Sequence, residues 1–440
     1  MRDPEASLSF EGDFVVRRLT RPLSKDHFLR SDLARLWVER GDLVPFEIVE
    51  PDLVTSRRLP FVTHPYEWCD SQLFDAAELT LRLQREAVSA GFDLKDASAW
   101  NVIFQGMRPV FCDLMSFEPL RDRRWWAAGQ FNRHFVLPLL LSKERGFLAH
   151  ESFLTWRDGM PEATARRMMG LRRFFGRHWP LMAGAPAAAA PPAKSHAVAS
   201  TVEDPAALQR FRESLHGGID WMLRGVSLRT VSERTVWGDY VHERVHYEPS
   251  ALDLKRATVL RWLVAAAPER VLDLGCNSGE FSRMAVSAGA DVIAADGDHG
   301  ALEMLWRQPS DRIHPVLCRL DDLSGGRGWG GAEHSGLVQR LQGQNDVVMM
   351  LALIHHLSIA SAVPLRAVAE FAARCSRRWL IVELVDSADP QVALLCDQRR
   401  RDPQEFSLQA QRTAFEAAGW ASTERVVLPG DVRELHLMVR

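Results

Sequence analysis

The sequence is poor in the features that mark exported, membrane or nucleic-acid-binding proteins. Only six of its 440 residues are cysteine, and no two of them form a C-x-x-C pair, which argues against a zinc site. No apolar run reaches the ~18 residues that a membrane span needs, and the stretch MRDPEASLSFEGDF at the N-terminus has no apolar signal segment. The formal net charge of −3 gives no basic excess for nucleic acid. We therefore expect a cytoplasmic protein with no metal site, no membrane span and no nucleic-acid partner.

One change in composition divides the chain. Residues 183–200, AGAPAAAAPPAKSHAVAS, are almost all alanine, proline or small polar residues, and such a segment cannot bury a core. The overall content of 46% hydrophobic and 25% charged residues is otherwise that of a globular protein. We therefore predict an N-terminal α+β domain over 1–182, a linker over 183–204 and a C-terminal domain over 205–440.

Beyond the linker, helical patterns over 205–223 and 250–266 precede apolar runs that alternate with helix-like stretches. Apolar strands that alternate with helices are typical of a parallel sheet covered on both faces. The predicted parallel strands are Arg270–Leu274, Asp291–Ala295, His314–Cys318, Asp346–Leu351 and Trp379–Leu384. Two last runs, near 425–428 and 434–439, are joined by the turn sequence PGD and predict a hairpin. The C-terminal domain is therefore predicted as a Rossmann-like, doubly wound α/β fold with about seven strands.

The loop after the first of these strands has the composition of a ligand-binding turn. It lies in the segment VLDLGCNSGEF, residues 271–281, whose glycines at 275 and 279 permit close approach of a ligand to the backbone. Asn277, between them, is of a type that tolerates the left-handed conformation. The dinucleotide pattern G-x-G-x-x-G fails, because asparagine and glutamate occupy positions 277 and 280. Asp273, at the strand tip, would repel a pyrophosphate and suits a cationic ligand.

This loop resembles motif I of the class I S-adenosylmethionine-dependent methyltransferases, D/E-x-G-x-G-x-G, with Asn277 in place of the middle glycine. The next strand, DVIAAD, ends in Asp296, where that family places an acid on the ribose hydroxyls. VLCRLDDL then offers Asp322, or Asp321, for the adenine amino group, and NDVVMMLALIHHL is similar to motif IV. The resemblance implies S-adenosyl-L-methionine as the cofactor. The cofactor-binding residues that it implies are Asp273, Gly275, Cys276, Asn277, Gly279, Asp296, Asp322 and Leu351.

Two histidines follow the fourth predicted strand, at the edge where a methyl group would be delivered. An imidazole with an ordinary pKa of ~6.5 can accept a proton from an attacking hydroxyl or amine, so His355 and His356 are the catalytic candidates. The alternative is that one packs against the sheet and the other caps a helix. Glu383 is a second candidate, for which an N-cap or surface role is favoured. An exposed position on a helix is favoured for Lys255 over a cofactor contact.

The N-terminal half contains one motif, LKDASAWNVIFQGMRPVFCDL, at residues 94–114. Asp96 and Asn101 have D-x-x-x-x-N spacing, and Asp113 ends the next apolar run. This resembles the catalytic loop and the metal-binding aspartate of protein kinases and aminoglycoside phosphotransferases. The glycine-rich phosphate loop, the β3 lysine and the His or Tyr before the first aspartate are missing. Three interpretations stay open: a kinase-like module without catalysis, an active kinase-like domain, and an unrelated α+β domain.

A basic and aromatic segment ends the N-terminal half. Residues 165–179, ARRMMGLRRFFGRHW, combine five arginines with Met, Leu, Phe and Trp at helical spacing. Such a pattern fits a helix on a membrane surface or on an acidic partner. A helix with one face in the core and one solvated basic face is the favoured interpretation.

The sequence thus predicts an S-adenosylmethionine-dependent methyltransferase that acts on an O- or N-nucleophile of a small molecule or natural-product intermediate. The N-terminal domain is predicted to recognise the substrate or a protein partner. Strings such as LALIHHL and LIVELVD are similar to a group of bacterial methyltransferases, some labelled as nodulation proteins, and this similarity gives no substrate. Two alternatives stay open: a non-catalytic scaffold that retains the cofactor pocket, and a bifunctional kinase-like methyltransferase.

Overall fold

The computed structural model describes residues 5–121, 124–182, 205–226 and 249–440, and the structural statements below refer to these residues. The chain divides into two compact units, Met1–Thr230 and Val231–Arg440. The predicted linker, 183–204, lies outside the described residues. No helix in the described part of the chain is both long and apolar enough to cross a membrane.

The first unit has α+β architecture. Its strands are β1 (Ala6–Glu11), β2 (Phe14–Leu19), β3 (Phe46–Glu50), β4 (Leu53–Arg57), β5 (Phe92–Leu94), β6 (Val102–Gln105), β7 (Arg108–Phe111) and β8 (Phe117–Pro119). Its helices are α1 (Asp32–Arg40), α2 (Asp70–Ser89), α3 (Ala128–Phe131), α4 (Leu137–Arg145), α5 (Ala149–Thr155), α6 (Glu162–Met169), α7 (Trp179–Met182) and α8 (Pro205–Arg224). The order β1-β2-β4-β3 forms an antiparallel sheet. Two small pairs, β5 with β8 and the hairpin of β6 with β7, lie outside it.

The helix α2 follows the amphipathic rule. Apolar residues recur every three or four positions and are buried, from Leu73 through Ala76 and Leu83 to Ala87. At its start the Gln72 side chain accepts a hydrogen bond from the backbone N–H of Cys69 at 3.0 Å, which satisfies a donor that has no partner within the helix.

The helix α8 belongs to the first unit, although we predicted it as an N-terminal extension of the second domain. Its Arg212 is fully buried and donates to an Asp93 carboxylate oxygen at 2.6 Å and to the Arg124 carbonyl at 3.0 Å. His216 of the same helix lies 3.2 Å from the Gln84 side chain of α2. The predicted helix is confirmed, but an apolar helix face does not indicate which part of the protein it packs against. The prediction of its domain was therefore wrong.

The second unit is a mixed α/β domain on one seven-stranded sheet. Its strands are β9 (Arg270–Leu274), β10 (Asp291–Asp296), β11 (Ile313–Leu317), β12 (Asn345–Met350), β13 (Ser376–Val385), β14 (Ala421–Val427) and β15 (Arg433–Val439). Its helices are α9 (Pro249–Ala266), α10 (Glu280–Ser287), α11 (His299–Trp306), α12 (Leu337–Leu341), α13 (Leu365–Cys375), α14 (Pro390–Arg399) and α15 (Leu408–Ala417). The strand order is β11-β10-β9-β12-β13-β15-β14, with the first five parallel and β15 antiparallel to its neighbours.

This sheet confirms the seven predicted strands and the closing hairpin. The parallel strands are buried on both faces, and Val271 and Leu272 of β9 have no exposed surface, as continuous apolar runs require. The helices α14 and α15 were not predicted. In α14 only Val392 and Cys396 are buried while Leu394 is half exposed, so its apolar periodicity is weak.

The strand register brings the predicted motifs to one edge of the sheet. Leu274 of β9 pairs with Ala295 of β10 and with Met350 of β12, and Asp296 pairs with Leu317 of β11. The strand order reverses between β9 and β12, which places a crevice beyond their carboxyl ends. The loops that follow β9, β10, β11 and β12 therefore start at the same edge.

Candidate functional site

The loop after β9 has the left-handed turns that its composition predicts. The φ angles are 75° at Gly275, 49° at Asn277 and 82° at Gly279, a region that only glycine and, at modest cost, asparagine adopt readily. The Asn277 side-chain oxygen accepts the Ser278 N–H at 2.6 Å, which supports the turn locally. A Cβ at 279 would meet the end of the Leu305 side chain, which would have to shift, and the φ of 82° favours glycine there in any case. The asparagine that departs from the motif is thus compatible with the loop.

Asp296, at the tip of β10, holds this loop through both of its carboxylate oxygens. One accepts the backbone N–H of Asn277 at 2.7 Å, and the other accepts that of Asp298 at 2.8 Å. Burial raises the pKa of Asp296, although these backbone donors oppose the rise. Each carboxylate oxygen can accept a second hydrogen bond. The side chain can therefore bind two hydroxyl groups of a ligand while it keeps the loop in place.

Asp273 joins the first strand to the first helix of the second unit. Its side chain is 2% exposed and accepts the Ser282 hydroxyl of α10 at 2.6 Å. Burial raises the pKa of Asp273 to about 7, with a smaller contribution from the charge of Asp296. The carboxyl group therefore changes charge near neutral pH, and it would become more acidic if a cation were held beside it.

The acid after β11 and the remaining cofactor candidates lie at the same edge. Asp321 is engaged by the Arg319 guanidinium at 3.1 and 2.9 Å, whereas the neighbouring Asp322 is exposed. Asp321 is exposed as well, so both acids are open to a ligand. Cys276 is buried and donates its backbone N–H to the Ala295 carbonyl at 3.2 Å. Leu351 is buried directly after β12.

The two histidines pack ring against ring, with centroids 4.1 Å apart. Burial lowers the pKa of both, that of His356 to about 4 and that of His355 well below its ordinary value. The His355 Nδ1 is buried with no hydrogen-bond partner in the described residues. Both imidazoles are therefore neutral at pH 7, which leaves a nitrogen able to accept a proton, but each is a weaker base than an exposed histidine. Packing and proton transfer both remain compatible with this geometry.

A buried ion network, which we define as Lys255, Glu383, Arg433 and Asp389, corrects two predictions. Lys255 is 4% exposed and donates to Glu383 at 2.6 Å. Arg433 donates to the other Glu383 oxygen at 3.1 Å and to Asp389 at 2.8 Å. The predictions of an exposed position for Lys255 and of an N-cap or surface role for Glu383 were therefore wrong. Both side chains are buried, because each charge is stabilised by the opposite charge inside the fold. The charges of Arg433 and Lys255 also lower the pKa of His355.

Arg433 and Asp389 were not predicted from the sequence. Arg433 begins β15 and Asp389 precedes α14, and no short motif connects either residue with Glu383 or with each other. The one signal in the sequence was an acid inside the apolar strand β13. A charge in such a strand needs a partner, but the sequence does not say which cation provides it.

The predicted motif of the first unit also comes together. The Asn101 side chain donates to the Asp96 carbonyl at 3.1 Å, and Asp96 has its pKa raised by burial and by the charge of Asp113. Asp113 accepts the backbone N–H of Met115 at 3.1 Å and the hydroxyl of Ser116. No cluster of three or more His, Cys, Asp or Glu side chains suited to a metal was found in the described residues. The kinase-like fold is not confirmed.

Comparison with known proteins gives a full-length relative and several partial ones. No family model matches the chain. The chain is 28% identical to the nodulation protein NoeA of Rhizobium meliloti (strain 1021) over an alignment of 458 positions, which covers 100% of this chain and 95% of NoeA. Over 68 residues it is 38% identical to an uncharacterized methyltransferase of Mycobacterium bovis, covering 16% of this chain and 25% of that protein. Both units of this chain thus have a counterpart in NoeA.

Similar solved structures include two methyltransferases. The magnesium protoporphyrin IX methyltransferase of Synechocystis PCC 6803 is 16% identical with a TM-score of 0.33, covering 51% of this chain and 94% of that one. The N-methyltransferase NodS of Bradyrhizobium japonicum WM9 is 14% identical with a TM-score of 0.33, covering 44% of this chain and 98% of that one.

Proposed function

We propose that the second unit is an S-adenosylmethionine-dependent methyltransferase that acts on an oxygen or nitrogen of a small molecule. The observation that carries the proposal is the meeting of the glycine loop, Asp273 and Asp296 at the edge where the strand order reverses. Ligands bind at such an edge in open α/β sheets. The short similarity to the mycobacterial methyltransferase supports the same reaction class.

The residues at this edge fit the proposed cofactor. Gly275 and Gly279 leave two positions of the loop without a side chain, and Asp296 has acceptor capacity left for a pair of hydroxyl groups. Asp322 would receive the adenine amino group, and Cys276, Asn277 and Leu351 would line the same pocket. When bound, the cofactor supplies an activated methyl group on a sulfonium. Asp273 would stabilise positive charge nearby, because a cation beside a buried carboxyl group favours its ionised form.

His355 and His356 are proposed as the groups that accept the proton of the attacking hydroxyl or amine. Their neutral state at pH 7 supports this role, because only an unprotonated imidazole can accept a proton. Their lowered pKa values limit the driving force, so positioning of the acceptor should contribute more than base catalysis. The near-neutral net charge of −3 favours a small-molecule acceptor over nucleic acid.

Calorimetric titration of the full chain with S-adenosylhomocysteine tests the proposal. We expect one binding site, lost in Asp296→Ala and retained in Asp291→Ala. Asp291 is the matched control, because it is the exposed acid at the opposite end of the same strand, paired with Arg312. The absence of binding to the unaltered chain would contradict the proposed cofactor site. Equal loss in both variants would contradict the placement of the ligand at the carboxyl edge.

For the first unit we propose a recognition module that resembles a kinase fold but does not transfer phosphate. Two observations support this proposal. The Asp113 oxygens already accept local hydrogen bonds from Met115 and Ser116. The Arg17 guanidinium of β2 already donates to the Ser56 hydroxyl and the Cys112 carbonyl. Calorimetry with Mg-ATP should show no binding. Binding that Asp113→Asn abolishes would instead support the bifunctional alternative.

A further inference from the structure

Four large apolar side chains of the first unit stand outside the fold in one short segment. Leu171 is 80% exposed and Phe175 75%, and Phe174 and Trp179 are about half exposed. A side chain with three quarters of its surface in solvent projects from the protein. We call Leu171, Phe174, Phe175 and Trp179 the apolar cluster.

The cluster departs from the helix predicted over 165–179. The helix α6 ends at Met169, and Gly170 with φ 57° turns the chain out of it. Only the buried side chains of Ala165 and Met169 in α6 face the core. The interpretation of a continuous helix with one core face and one basic face was therefore wrong. The chain continues as a 3-10 helix over Gly170–Phe174 that has no buried side chain, and Leu171 and Phe175 are left in solvent.

The backbone around the cluster is fastened to the rest of the unit. The ring nitrogen of His178 bonds the Met222 carbonyl at 2.8 Å, and Arg177 donates to the Trp221 carbonyl at 3.0 Å. Arg172 donates to the Glu144 carbonyl at 2.7 Å. These contacts hold the segment in place while its apolar side chains remain outside, so their exposure is a property of the folded unit.

Arginines flank the cluster along the chain, and one of them, Arg172, is paired with the Glu144 carboxylate at 3.5 Å. Arginines occupy positions 166, 167, 172, 173 and 177, and no aspartate or glutamate occurs anywhere over 163–202. The Arg173 guanidinium lies 4.6 Å from the Phe174 ring centroid, so charge and aromatic surface are adjacent. Arginine and exposed aromatic or leucine side chains together are the composition of a segment that binds the interface of an anionic membrane.

We propose that the apolar cluster and its arginines bind the surface of an anionic lipid bilayer. The apolar side chains would enter the boundary between headgroups and acyl chains, where aromatic residues are favoured, and the arginines would contact lipid phosphates. A bilayer fits better than an acidic protein, because apolar side chains flanked by arginines match a surface where acyl chains lie beneath anionic headgroups. The proposal is independent of the activity of the second unit.

Sedimentation of the full chain with vesicles tests this inference. We expect binding to equimolar phosphatidylcholine and phosphatidylglycerol, little binding to phosphatidylcholine alone, and weaker binding as salt rises. Leu171→Ser with Phe175→Ser should reduce the partition coefficient about tenfold or more. Arg167→Gln and Arg173→Gln should each reduce it about fivefold.

The matched control is Trp329→Ser in the second unit, where the tryptophan is 79% exposed and should leave binding unchanged. Circular dichroism should show unaltered thermal unfolding for every variant, because the changed side chains contribute little buried surface. Failure to bind either vesicle would overturn the inference. So would equal binding of wild type and the Leu171/Phe175 variant, or binding to soluble polyglutamate but not to anionic vesicles.

Discussion

Replacing Asp273 with asparagine should make the protein more stable and its proposed site weaker. The carboxyl group is buried, and burial raises its pKa to about 7 from an ordinary value of 3.8. Between these two values the folded state binds a proton that the unfolded state has released, so stability falls as pH rises through this window. The pKa difference corresponds to at most about 4 kcal/mol above pH 7, at about 1.36 kcal/mol per pH unit.

Asparagine has nearly the same shape as aspartate, stays neutral, and its carbonyl oxygen can still accept the Ser282 hydroxyl. At about pH 8 the variant should therefore be more stable by a few kcal/mol, and at about pH 4 the gain should vanish. Hydrogen exchange of peptides from β9 to β12 measures this in the second unit alone. A variant that is no more stable at the higher pH, or whose gain does not change with pH, would contradict the raised pKa of Asp273. Asp291→Asn, an exposed acid, should change stability by less than about 0.5 kcal/mol.

Two further predictions concern buried histidine and buried charge. In an NMR titration assigned with His356→Gln, His356 should titrate near pH 4, because burial and then the charge of Arg433 lower its pKa. The stabilisation by the neutral His356 is therefore present above pH ~6.5 and is lost as pH falls toward 4. Titration of His356 near pH 6.5 would contradict the burial of its side chain. Arg212→Met should destabilise the first unit by about 3–5 kcal/mol, because it leaves Asp93 buried without its cation. Adding Asp93→Asn should recover part of that loss, and hydrogen exchange of α2 and α8 that stays unchanged would refute the packing of α8 on this unit.

The predictable part of the second unit was its sheet. Each parallel strand is an apolar run buried on both faces, and an acid such as Asp296 interrupts the run where the strand ends. In a parallel sheet the carboxyl ends of the strands lie at one edge. The loop after β9 and Asp296 could therefore be placed at that edge from the sequence alone. The left-handed conformation of Asn277 could likewise be predicted, because asparagine is one of the few residue types other than glycine that adopt it.

The features that could not be predicted depend on contacts between distant parts of the chain. Glu383 and Arg433 form a buried pair across 50 residues, and Lys255 reaches Glu383 across 128. A single sequence gives such a lysine the appearance of a solvated helix residue. For the same reason α8 was predicted in the wrong unit. The burial of its Arg212 depends on the ion pair with Asp93, which is distant in the sequence. The local sequence pattern predicts that a helix forms, whereas the element against which the helix packs depends on the whole fold.

The second unit carries three unfavourable features at the edge where the proposed site lies, and others away from it, such as the left-handed Ala267 and Arg400. Asp273 is a buried acid with a raised pKa, and Ala352, two residues after β12, has φ 54°, a left-handed angle that costs about 1 kcal/mol or more for a residue with a Cβ. The His355 Nδ1 is buried without a hydrogen-bond partner in the described residues. A sequence selected for stability alone would remove each of these costs by a single substitution. At the ends of β9 and β12 these costs are compatible with a binding role for this edge, because strain and buried charge persist where function requires them.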